Sequence, residues 1–441
     1  MKIILYILLE LSLCSIIIHA QNVTLINDVY IFNGKDQKIV HSNILIENNI
    51  ITKIATQSIP THDKVTVKII DGKGMFLMPG LIDAHSHMMM DAMPIFELMA
   101  SDIAYVNLFA AHSAEKQLLR GFTSVRDVGG ASFGLKKAID RGLVKGPRIY
   151  PSGATISQTG GHGDFGMPTD VPRINGELSY IERNGMTIIA DGADAVLKRT
   201  REQLRLGASQ IKLMAGGGVS SNYDPIDVAQ YTEEEFRAAS TAASNWGTYV
   251  TVHAYTPQAI HTAIKGGVKC IEHGQLIDET TVKLIAEKEI WWCLQPFLDD
   301  QDATPFPKGS ENRKKQLTMI AGTDNAYKLA KKYKVKLAFG TDCLFDANVA
   351  DRQTAQLVKL KRWFTPFEIL KMATSTNAEL LALCGPRNPY GKGKLGVIEE
   401  GAYADLIIVN GDPIKSIELI ENPEQNFLLI MKDGIIYKNI L

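Results

Sequence analysis

Residues 81–90 read LIDAHSHMMM, and the interpretation of the whole chain begins with the two histidines in this stretch, His85 and His87. They end an apolar run that follows Met78-Pro79-Gly80. Alternate side chains of a strand lie on one face with their Cα atoms about 7 Å apart, so both imidazoles can reach one metal ion. The stretch therefore predicts a strand that ends in a pair of metal ligands.

Short apolar runs of this kind recur along the chain, separated by segments of helical length. The runs are LIDAHSH (81–87), FTSVRD (122–127), RIYPSG (148–153), SQIKLM (209–214), YVTVHA (249–254), VKCIEH (268–273), WWCLQP (291–296) and KLAFGTD (336–342). Capping boxes (Thr232 with Glu235, Thr365 with Glu368) and the prolines at 257 and 366 indicate helix starts. Eight strands alternating with helices over roughly 260 residues predict an α/β fold, a (β/α)8 TIM barrel.

Both ends of the chain show a different pattern, in which β-forming residues alternate with polar ones. Residues 22–78 contain an Asn48-Asn49 turn, and residues 394–441 contain an Asp433-Gly434 turn. Neither segment is able to close a sheet alone. We therefore expect residues 22–78 plus 394–441 to form one small β-sandwich, with the barrel of residues 79–393 inserted between its halves.

The overall composition excludes several kinds of partner. The 441 residues are 45% hydrophobic, enough for a large core, and the 47 basic residues nearly balance the 48 acidic ones. There is no basic surface for nucleic acid and no polybasic stretch for anionic membranes. A small-molecule or dipeptide substrate is expected instead, and assembly into a homo-oligomer is left open.

The first twenty residues resemble a secretory signal peptide. Lys2 precedes an apolar stretch, and Ala20 offers a small residue at the cleavage point. Glu10 interrupts the stretch and counts against both a signal peptide and a membrane anchor, but a membrane span needs about 18 uninterrupted apolar residues, which favours the export signal. Cys14 lacks the small neighbour of a lipid-attachment site. We expect an exported protein, periplasmic or extracellular, with no membrane association after signal removal. The remaining cysteines, at 270, 293, 343 and 384, are expected to be buried free thiols.

Metal-binding residue types lie where a barrel places its active site, at the C-terminal ends of the strands. His85, His87, His253, His273 and Asp342 end their strands, and Lys212 lies in the fourth strand. A single histidine beside an apolar run is ordinarily a core or surface residue. Five such residues on one rim favour a catalytic metal site with an open coordination position.

Lys212 requires a separate explanation, because an ammonium beside a dication is repelled. Burial next to positive charge lowers the pKa of a lysine, and its neutral amine can then bind carbon dioxide to form a carbamate that bridges two metals. The alternative is a lysine that pairs with Asp342 or with a substrate carboxylate. The residues alone do not choose between them.

The motifs MPGLIDAHSH, QIKLMAGGGVSS, TVHAYT, CIEHG, FGTD and GKLGVIEEGAYADLIIVNGDP cover nearly all of the chain after residue 20. They resemble the amidohydrolase superfamily, in particular its imidazolonepropionase-like and Xaa-Pro dipeptidase (prolidase) branch with a carboxylated lysine.

The resemblance implies a dinuclear centre of two divalent metal ions, commonly zinc. His85, His87 and Asp342 would hold the first ion, His253 and His273 the second, and carboxylated Lys212 and a hydroxide would bridge them. Asp342 would be the catalytic proton carrier. Lys212 argues against imidazolonepropionase activity, since those enzymes keep one metal and lack the bridging lysine.

The resemblance also indicates substrate contacts, at His162 and Tyr231, with Tyr255 as a further candidate. Their alternatives are a loop histidine and two packing tyrosines. Arg126 and Asp127 are either further candidates or an internal ion pair. Two long connections (154–190 and 297–320) are expected to be lids or binding loops, and the glycines at 216–218 a close-approach loop above the metals. Residues 293–297 read CLQPF where relatives often have Pro-Thr, which leaves one wall of the pocket undefined.

The sequence thus predicts an exported metal-dependent hydrolase of carbon–nitrogen bonds, a dipeptidase or carboxypeptidase of the Xaa-Pro or N-acyl amino acid type. Hydrolysis of a cyclic amide is the first alternative. A secreted binding protein without turnover is the second, and it has no need to keep both the ligands and the proton carrier Asp342.

Overall fold

The computed structural model describes residues 22–61, 66–172 and 176–441, so the predicted signal peptide, residues 1–20, lies outside the described residues. In chain order the strands are β1 (Val23–Ile31), β2 (Val40–Glu47), β3 (Ile50–Ala55), β4 (Val67–Pro79), β5 (Leu81–Ser86), β6 (Phe122–Asp127), β7 (Arg148–Pro151), β8 (Thr155–Ser157), β9 (Thr187–Ile189), β10 (Ile211–Met214), β11 (Val250–Ala254), β12 (Cys270–His273), β13 (Trp291–Leu294), β14 (Lys336–Phe339), β15 (Leu406–Val409), β16 (Phe427–Lys432) and β17 (Ile435–Asn439). The α-helices are α1 (Ile95–Ala100), α2 (Ile103–Leu119), α3 (Phe133–Asp140), α4 (Tyr180–Arg183), α5 (Ala193–Leu206), α6 (Glu233–Asn245), α7 (Pro257–Lys265), α8 (Glu279–Glu287), α9 (Glu311–Tyr333), α10 (Ala347–Asp351), α11 (Gln353–Lys359), α12 (Pro366–Lys371), α13 (Asn377–Ala382) and α14 (Pro423–Asn426).

The central strands form a parallel barrel in the order of the chain. One sheet has the order β5-β6-β7, and a second has the order β14-β13-β12-β11-β10-β8-β9. Hydrogen bonds join the two sheets at both seams: Ser209 N donates to Pro151 O (2.7 Å), and Asp342 N donates to His85 O (2.9 Å). Each of the eight predicted runs contains one of these strands, so the (β/α)8 barrel is confirmed.

The third barrel strand differs from its prediction. It breaks after Pro151 and resumes as β8, which pairs with β10 on one side and with the short strand β9 on the other. The sequence did not reveal β8 and β9 because three residues are too few for alternation to be detected. The predicted 154–190 loop therefore contains two strands and the helix α4.

The helix starts follow the local chemistry that the sequence indicated. The Thr232 and Thr365 side chains accept hydrogen bonds at the N-termini of α6 and α12, and Pro257 and Pro366 are first helical residues. The predicted loop 297–320 is too long, however. Helix α9 begins at Glu311, because the Ser310 hydroxyl caps it by accepting from Arg313 N (3.2 Å).

The two ends of the chain meet in one seven-stranded sheet, β17-β16-β15-β4-β1-β2-β3, in which β1 and β4 are parallel. Buried residues from both ends share its apolar core, for example Ile26, Ile44, Leu77, Leu406 and Met431. The predicted composite β-sandwich is therefore formed by both termini. The domain limits of 22–78 plus 394–441 and 79–393 stay a prediction.

A buried ion pair network joins the terminal sheet to the N-terminal end of the barrel. Arg148, the first residue of β7, donates to Asp405 Oδ2 (3.0 Å) and to Asp433 Oδ1 (2.5 Å). Its guanidinium lies 3.9 Å from the ring centroid of Tyr403. Both carboxylates hold the pKa of Arg148 above its usual value despite the opposing effect of burial. This contact fixes the sheet against the barrel at the end remote from the strand-end histidines.

Within the described ranges, no helix combines the length and the apolar character that a bilayer crossing requires.

Candidate metal centre and cavity

The four strand-end histidines form a row at the C-terminal end of the barrel. The centroid of the His85 ring lies 5.3 Å from that of His87 and 4.8 Å from that of His273, and the His273 ring lies 4.5 Å from His253. All four side chains are buried. The structure thus brings together residues from β5, β11 and β12 that are up to 188 positions apart in the sequence (273 − 85).

Asp342 joins this row from the eighth strand. Its Oδ1 atom lies 3.3 Å from His85 Nε2 and 3.1 Å from His87 Nε2, and the ligand atoms of the three residues lie within 4.8 Å of one another. Gly340 permits the approach, since a Cβ at that position would lie 2.7 Å from the His85 backbone nitrogen. Asp342 and His273 have φ values of 51° and 73°, a conformation that non-glycine residues adopt mainly where surrounding structure enforces it.

The hydrogen bonds around the imidazoles leave free the nitrogen atoms that a metal needs. The Nδ1 of His85 donates to Glu272 Oε2 (2.8 Å), and the Nε2 of His253 donates to the Gly217 carbonyl (3.0 Å). The Nδ1 of His273 faces Gln295 Oε1 at 2.7 Å. Because a carboxylate or a carbonyl oxygen only accepts, each contact fixes which nitrogen keeps its lone pair.

The donor set also fits a divalent metal because one ligand atom lies close to two imidazole nitrogens without accepting a hydrogen bond. Asp342 Oδ1 is buried and has no hydrogen-bond partner within the described residues. Buried polar atoms otherwise almost always have a hydrogen-bond partner, and a site for a bound ion is one of the standard reasons for an exception. Imidazole nitrogen and carboxylate oxygen are ligands that zinc and related divalent ions accept.

The environment keeps most of this group in the protonation states that bind metal. Burial, followed by the neighbouring His162 and His85 respectively, holds the pKa values of His253 and His273 well below the usual range. Burial would raise the pKa of Asp342, but the imidazoles of His85, His87 and His273 outweigh it and hold that pKa well below the ordinary value. The neutral imidazoles of His253 and His273 therefore share the site with an ionised Asp342. At His85, burial and Lys212 would lower the pKa, but the charges of Asp342 and Glu272 raise it above the usual value.

Lys212 lies buried on β10, next in register to Thr251 of β11. Burial lowers the pKa of its amine, and the negative charges of Glu272 and Asp342 offset part of that effect. The ion pairs of Asp342 in the described part of the chain are with His85, His87 and His273, and Lys212 is not among them. The proposed Lys212–Asp342 pair is therefore not formed here.

Glu272 is the site residue that sequence reasoning missed. Its carboxylate accepts from His85 Nδ1, from Arg126 Nη2 (2.6 Å) and from the Thr251 hydroxyl. Arg126 also donates to the Ala84 carbonyl (2.6 Å). The predicted alternative of an Arg126–Asp127 ion pair is thus wrong, because Glu272 takes the guanidinium. The available signal was a carboxylate inside the buried strand VKCIEH.

Asp127 has different partners from Arg126. It accepts from the Ser132 hydroxyl (2.5 Å) and from Met88 N (3.0 Å). Burial raises its pKa to about 7, and these two hydrogen bonds offset only part of the effect.

His162 and Tyr255, two predicted substrate contacts, lie at the end of the histidine row. The His162 ring stacks on His253 with 4.1 Å between centroids, and the Tyr255 ring meets His253 edge-on at 4.8 Å. A Cβ on Gly218 would lie 1.9 Å from His162 Nδ1, so the glycine-rich loop packs directly on this imidazole. Burial lowers the pKa of His162 to about 4.

Tyr231 does not join the group. Its hydroxyl donates to the Ala190 carbonyl (2.9 Å), and its ring packs edge-on against Phe236 at 5.7 Å. It precedes the cap residue Thr232, and Phe236 is the fourth helical residue, which is the arrangement of a hydrophobic staple. The tyrosine that lines the cavity near the glycine-rich loop is Tyr223.

Gln295 and Phe297 belong to residues 293–297, the segment for which the sequence left one wall of the pocket undefined. Gln295 contacts His273 as described, and Phe297 stacks on the His273 ring at 6.3 Å. The segment therefore contributes Gln295 as a contact of the candidate ligand His273 and Phe297 as a residue of the cavity wall. Both lie beside the same imidazole.

One cavity of about 510 Å³ opens above the histidine row. It reaches His85, His87, His162, His253, His273, Lys212 and Asp342 at its base, and methionine and aromatic side chains are prominent among the apolar residues of its walls. The predicted ligands and two of the three predicted substrate contacts thus share one cavity.

Comparison with known proteins identifies relatives over most of the chain. The model of the amidohydrolase family matches residues 76–438. An ochratoxinase of Aspergillus niger is 32% identical over 378 residues, which cover 82% of this chain and 75% of that protein. Two crystal structures cover 95% of this chain: an amidohydrolase (34% identity, TM-score 0.84, 99% of its chain) and a prolidase in complex with N-methylphosphonate-L-proline (30% identity, TM-score 0.85, 100% of its chain).

Proposed function

Because the chain belongs to the amidohydrolase family and is thus a metal-dependent hydrolase of amide or peptide bonds, we propose that it holds two divalent ions and cleaves dipeptides or N-acyl amino acids. His85, His87 and Asp342 would hold one ion, and His253 and His273 the other. The observation that carries the proposal is the meeting of three ligand atoms: the buried Asp342 Oδ1 accepts no hydrogen bond from the described residues, yet it lies 3.3 Å from His85 Nε2 and 3.1 Å from His87 Nε2.

Lys212 is proposed to bridge the two ions as a carbamate. Its burial favours the neutral amine, which is the form that reacts with carbon dioxide. The amine nitrogen forms a bond to the carbon of carbon dioxide and loses a proton, and the product is an anion with two oxygen ligands. This charge reversal removes the repulsion between a lysine and two cations. Zinc is the proposed metal, since the donors are nitrogen and oxygen atoms that zinc accepts.

Two divalent ions, when bound, lower the pKa of a water molecule towards neutrality and polarise the scissile carbonyl. Asp342 accepts the proton that the attacking water loses and then donates it to the leaving nitrogen as the carbon–nitrogen bond breaks. His162, which stacks on His253, and Tyr255 lie where they can contact the substrate carbonyl or carboxylate. The buried walls limit the access of bulk water to the reacting groups.

The relatives support the substrate type. One solved relative is a prolidase with a proline-containing phosphonate, and another is a Xaa-Pro dipeptidase with bound methionine, which is 28% identical and has a TM-score of 0.79. Both indicate substrates with a free amino acid at one end. Export through the N-terminal signal peptide remains part of the proposal, and N-terminal sequencing of the protein from its host tests it.

Purified protein loaded with zinc, assayed against Xaa-Pro dipeptides, N-acyl amino acids and a lactam, tests the function. We expect hydrolysis of the linear amides, its loss with a chelator and its recovery on adding zinc. Hydrolysis of the lactam alone would favour the cyclic-amide alternative. No hydrolysis of any amide by metal-loaded protein would contradict the proposal.

A further inference from the structure

The cavity above the histidine row is bounded by two separate apolar clusters. The first, here called cluster A, contributes Met90, Met99, Phe165, Met186, Leu344 and Phe345. The second, cluster B, contributes Val219, Tyr255, Phe297, Phe306, Met319 and Ile320. The two clusters share no residue, and together they account for most of the apolar lining.

Cluster A adjoins the His87 end of the row. Met90 N donates to the His87 carbonyl (2.9 Å), and Phe345 N donates to the Met90 carbonyl (3.0 Å). The Phe165 and Phe345 rings meet edge-on with centroids 6.4 Å apart, so segments that follow strands one, three and eight form a single aromatic wall.

Cluster B adjoins the other end of the row. Tyr255 contacts the His253 and His273 rings at 4.8 and 5.3 Å between centroids, and Phe297 stacks on His273 at 6.3 Å. Met319 belongs to helix α9 and Phe306 to the segment before it. The proposed reacting centre, which contains His85 and Asp342, therefore has an apolar wall at each end.

Resting on the proposed function, we infer that the substrate is an amide that joins two bulky apolar halves, one packed on cluster A and the other on cluster B. A benzoyl or larger aromatic acyl group linked to an aromatic or large aliphatic amino acid has this form. A volume of about 510 Å³ falls within the range of about 300–1,000 Å³ that takes drug-sized ligands. A small Xaa-Pro dipeptide would leave most of this apolar surface in contact with water.

The polar groups of the cavity are consistent with this substrate form. Ser220, Asn222 and Tyr223 line it just after the glycine-rich loop, and other segments add polar side chains such as Asp164 and Asn312. The lysine Lys359 already pairs with Asp300 at 2.7 Å. We expect these polar groups to orient the scissile bond and the two apolar clusters to supply most of the binding energy.

The inference is tested with four substrates: acetyl-Ala, benzoyl-Ala, acetyl-Phe and benzoyl-Phe. Each enlarged half is expected to raise kcat/KM by roughly 10-fold or more, since even one methylene group is worth about 10–200-fold in an apolar pocket. Benzoyl-Phe is then the best of the four and exceeds Ala-Pro. Equal kcat/KM for all four, or a preference for Ala-Pro, would overturn the inference while leaving amide hydrolysis intact.

Two variants test which apolar cluster binds which half of the substrate. Phe165→Ala in cluster A and Phe306→Ala in cluster B are each expected to reduce the gain from one aromatic half only, and each a different half. Leu108→Ala, which is exposed and lies outside the cavity lining, is the control and should change neither gain. Loss of the same half in both variants, or of neither, would overturn the two-wall arrangement. Failure of metal-loaded wild-type protein to hydrolyse any of the four substrates or Ala-Pro would instead contradict the proposed function.

Discussion

Both ends of the barrel bury charged side chains, but the partners of those side chains differ. At the N-terminal end, Arg148 contacts two carboxylates and lies against the ring of Tyr403, so its charge is paired. At the C-terminal end, Asp342 Oδ1 is buried without a hydrogen-bond partner among the described residues, and two residues there, His273 and Asp342, have positive φ values. The ion pairs of Arg148 are expected to serve stability, whereas the cluster of imidazoles around Asp342, whose Oδ1 accepts no hydrogen bond, is expected to serve metal binding and chemistry.

The largest expected effect is on activity at the C-terminal end. Asp342→Asn should lower kcat by at least about 10³-fold, because an amide cannot accept the proton and return it to the leaving nitrogen. Steady-state kinetics on metal-loaded protein and metal analysis measure this. Asp346→Asn, a neighbouring carboxylate that lines the same cavity, is the control and should leave kcat near the wild-type value. Near-normal turnover by Asp342→Asn would contradict the proposal that the buried carboxylate at the C-terminal end serves the chemistry.

At the N-terminal end the effect should be on stability alone. Arg148→Met leaves Asp405 and Asp433 without their cation and should lower the free energy of unfolding by about 3–5 kcal/mol, with kcat per folded molecule unchanged. Arg362→Met, which removes an exposed pair with Asp324, should cost at most about 1 kcal/mol. Urea unfolding followed by fluorescence compares them. Equal losses of the free energy of unfolding in the two variants would show that the Arg148 network does not stabilise the contact between the terminal sheet and the barrel.

The buried carboxyl group of Asp127 should make the free energy of unfolding depend on pH. Its pKa is raised to about 7 in the folded protein, so the folded state binds the proton more tightly than the unfolded state does. The wild type should therefore lose stability as pH rises from about 4 to about 7, with a ceiling of about 4 kcal/mol from the pKa difference. Asp127→Asn should remove this loss. Unfolding of the metal-free proteins at several pH values measures it, and identical pH profiles would contradict the expectation.

The smallest expected effect concerns the contact between Glu272 and His85. Glu272→Gln weakens the acceptor that orients His85 and should reduce metal affinity by about 10–100-fold. Competition with a chelating dye measures affinity without any assay of turnover. Glu279→Gln, which alters surface contacts with Lys332 and Tyr333 outside the cavity lining, is the matched control. Unchanged affinity in Glu272→Gln would show that Glu272 serves Arg126 and the barrel interior rather than the metal centre.

The sequence predicted the barrel and the placement of the ligand residues, because strand-end positions follow directly from alternation and from the parallel order of the strands. His85, His253 and His273 lie at or next to the ends of strands, His87 and Asp342 closely follow their strands, and the closed order of the strands brings all five to one rim of the barrel. The capping boxes were also predictable, because each depends on two residues that are only three positions apart in the sequence.

What the sequence did not reveal depends on contacts between distant segments. Glu272 faces the barrel interior beside Arg126, although the two residues are 146 positions apart. The resemblance indicates Tyr231 as a substrate contact, but Tyr231 precedes the cap residue Thr232 and packs against Phe236 as the hydrophobic staple of α6. Loop residues such as Phe165 and Phe306 carry no periodic signal, so the two apolar walls emerge only from the fold.

Metal content per chain, measured by plasma mass spectrometry alongside the intact mass under mild conditions, tests the central claim most directly. Wild-type protein should carry two divalent ions and the additional mass of one carbon dioxide. Lys212→Met should lose that mass and hold fewer than two ions. Wild-type protein that takes up no metal from excess zinc, or an identical metal content and no added mass in both proteins, would contradict the account.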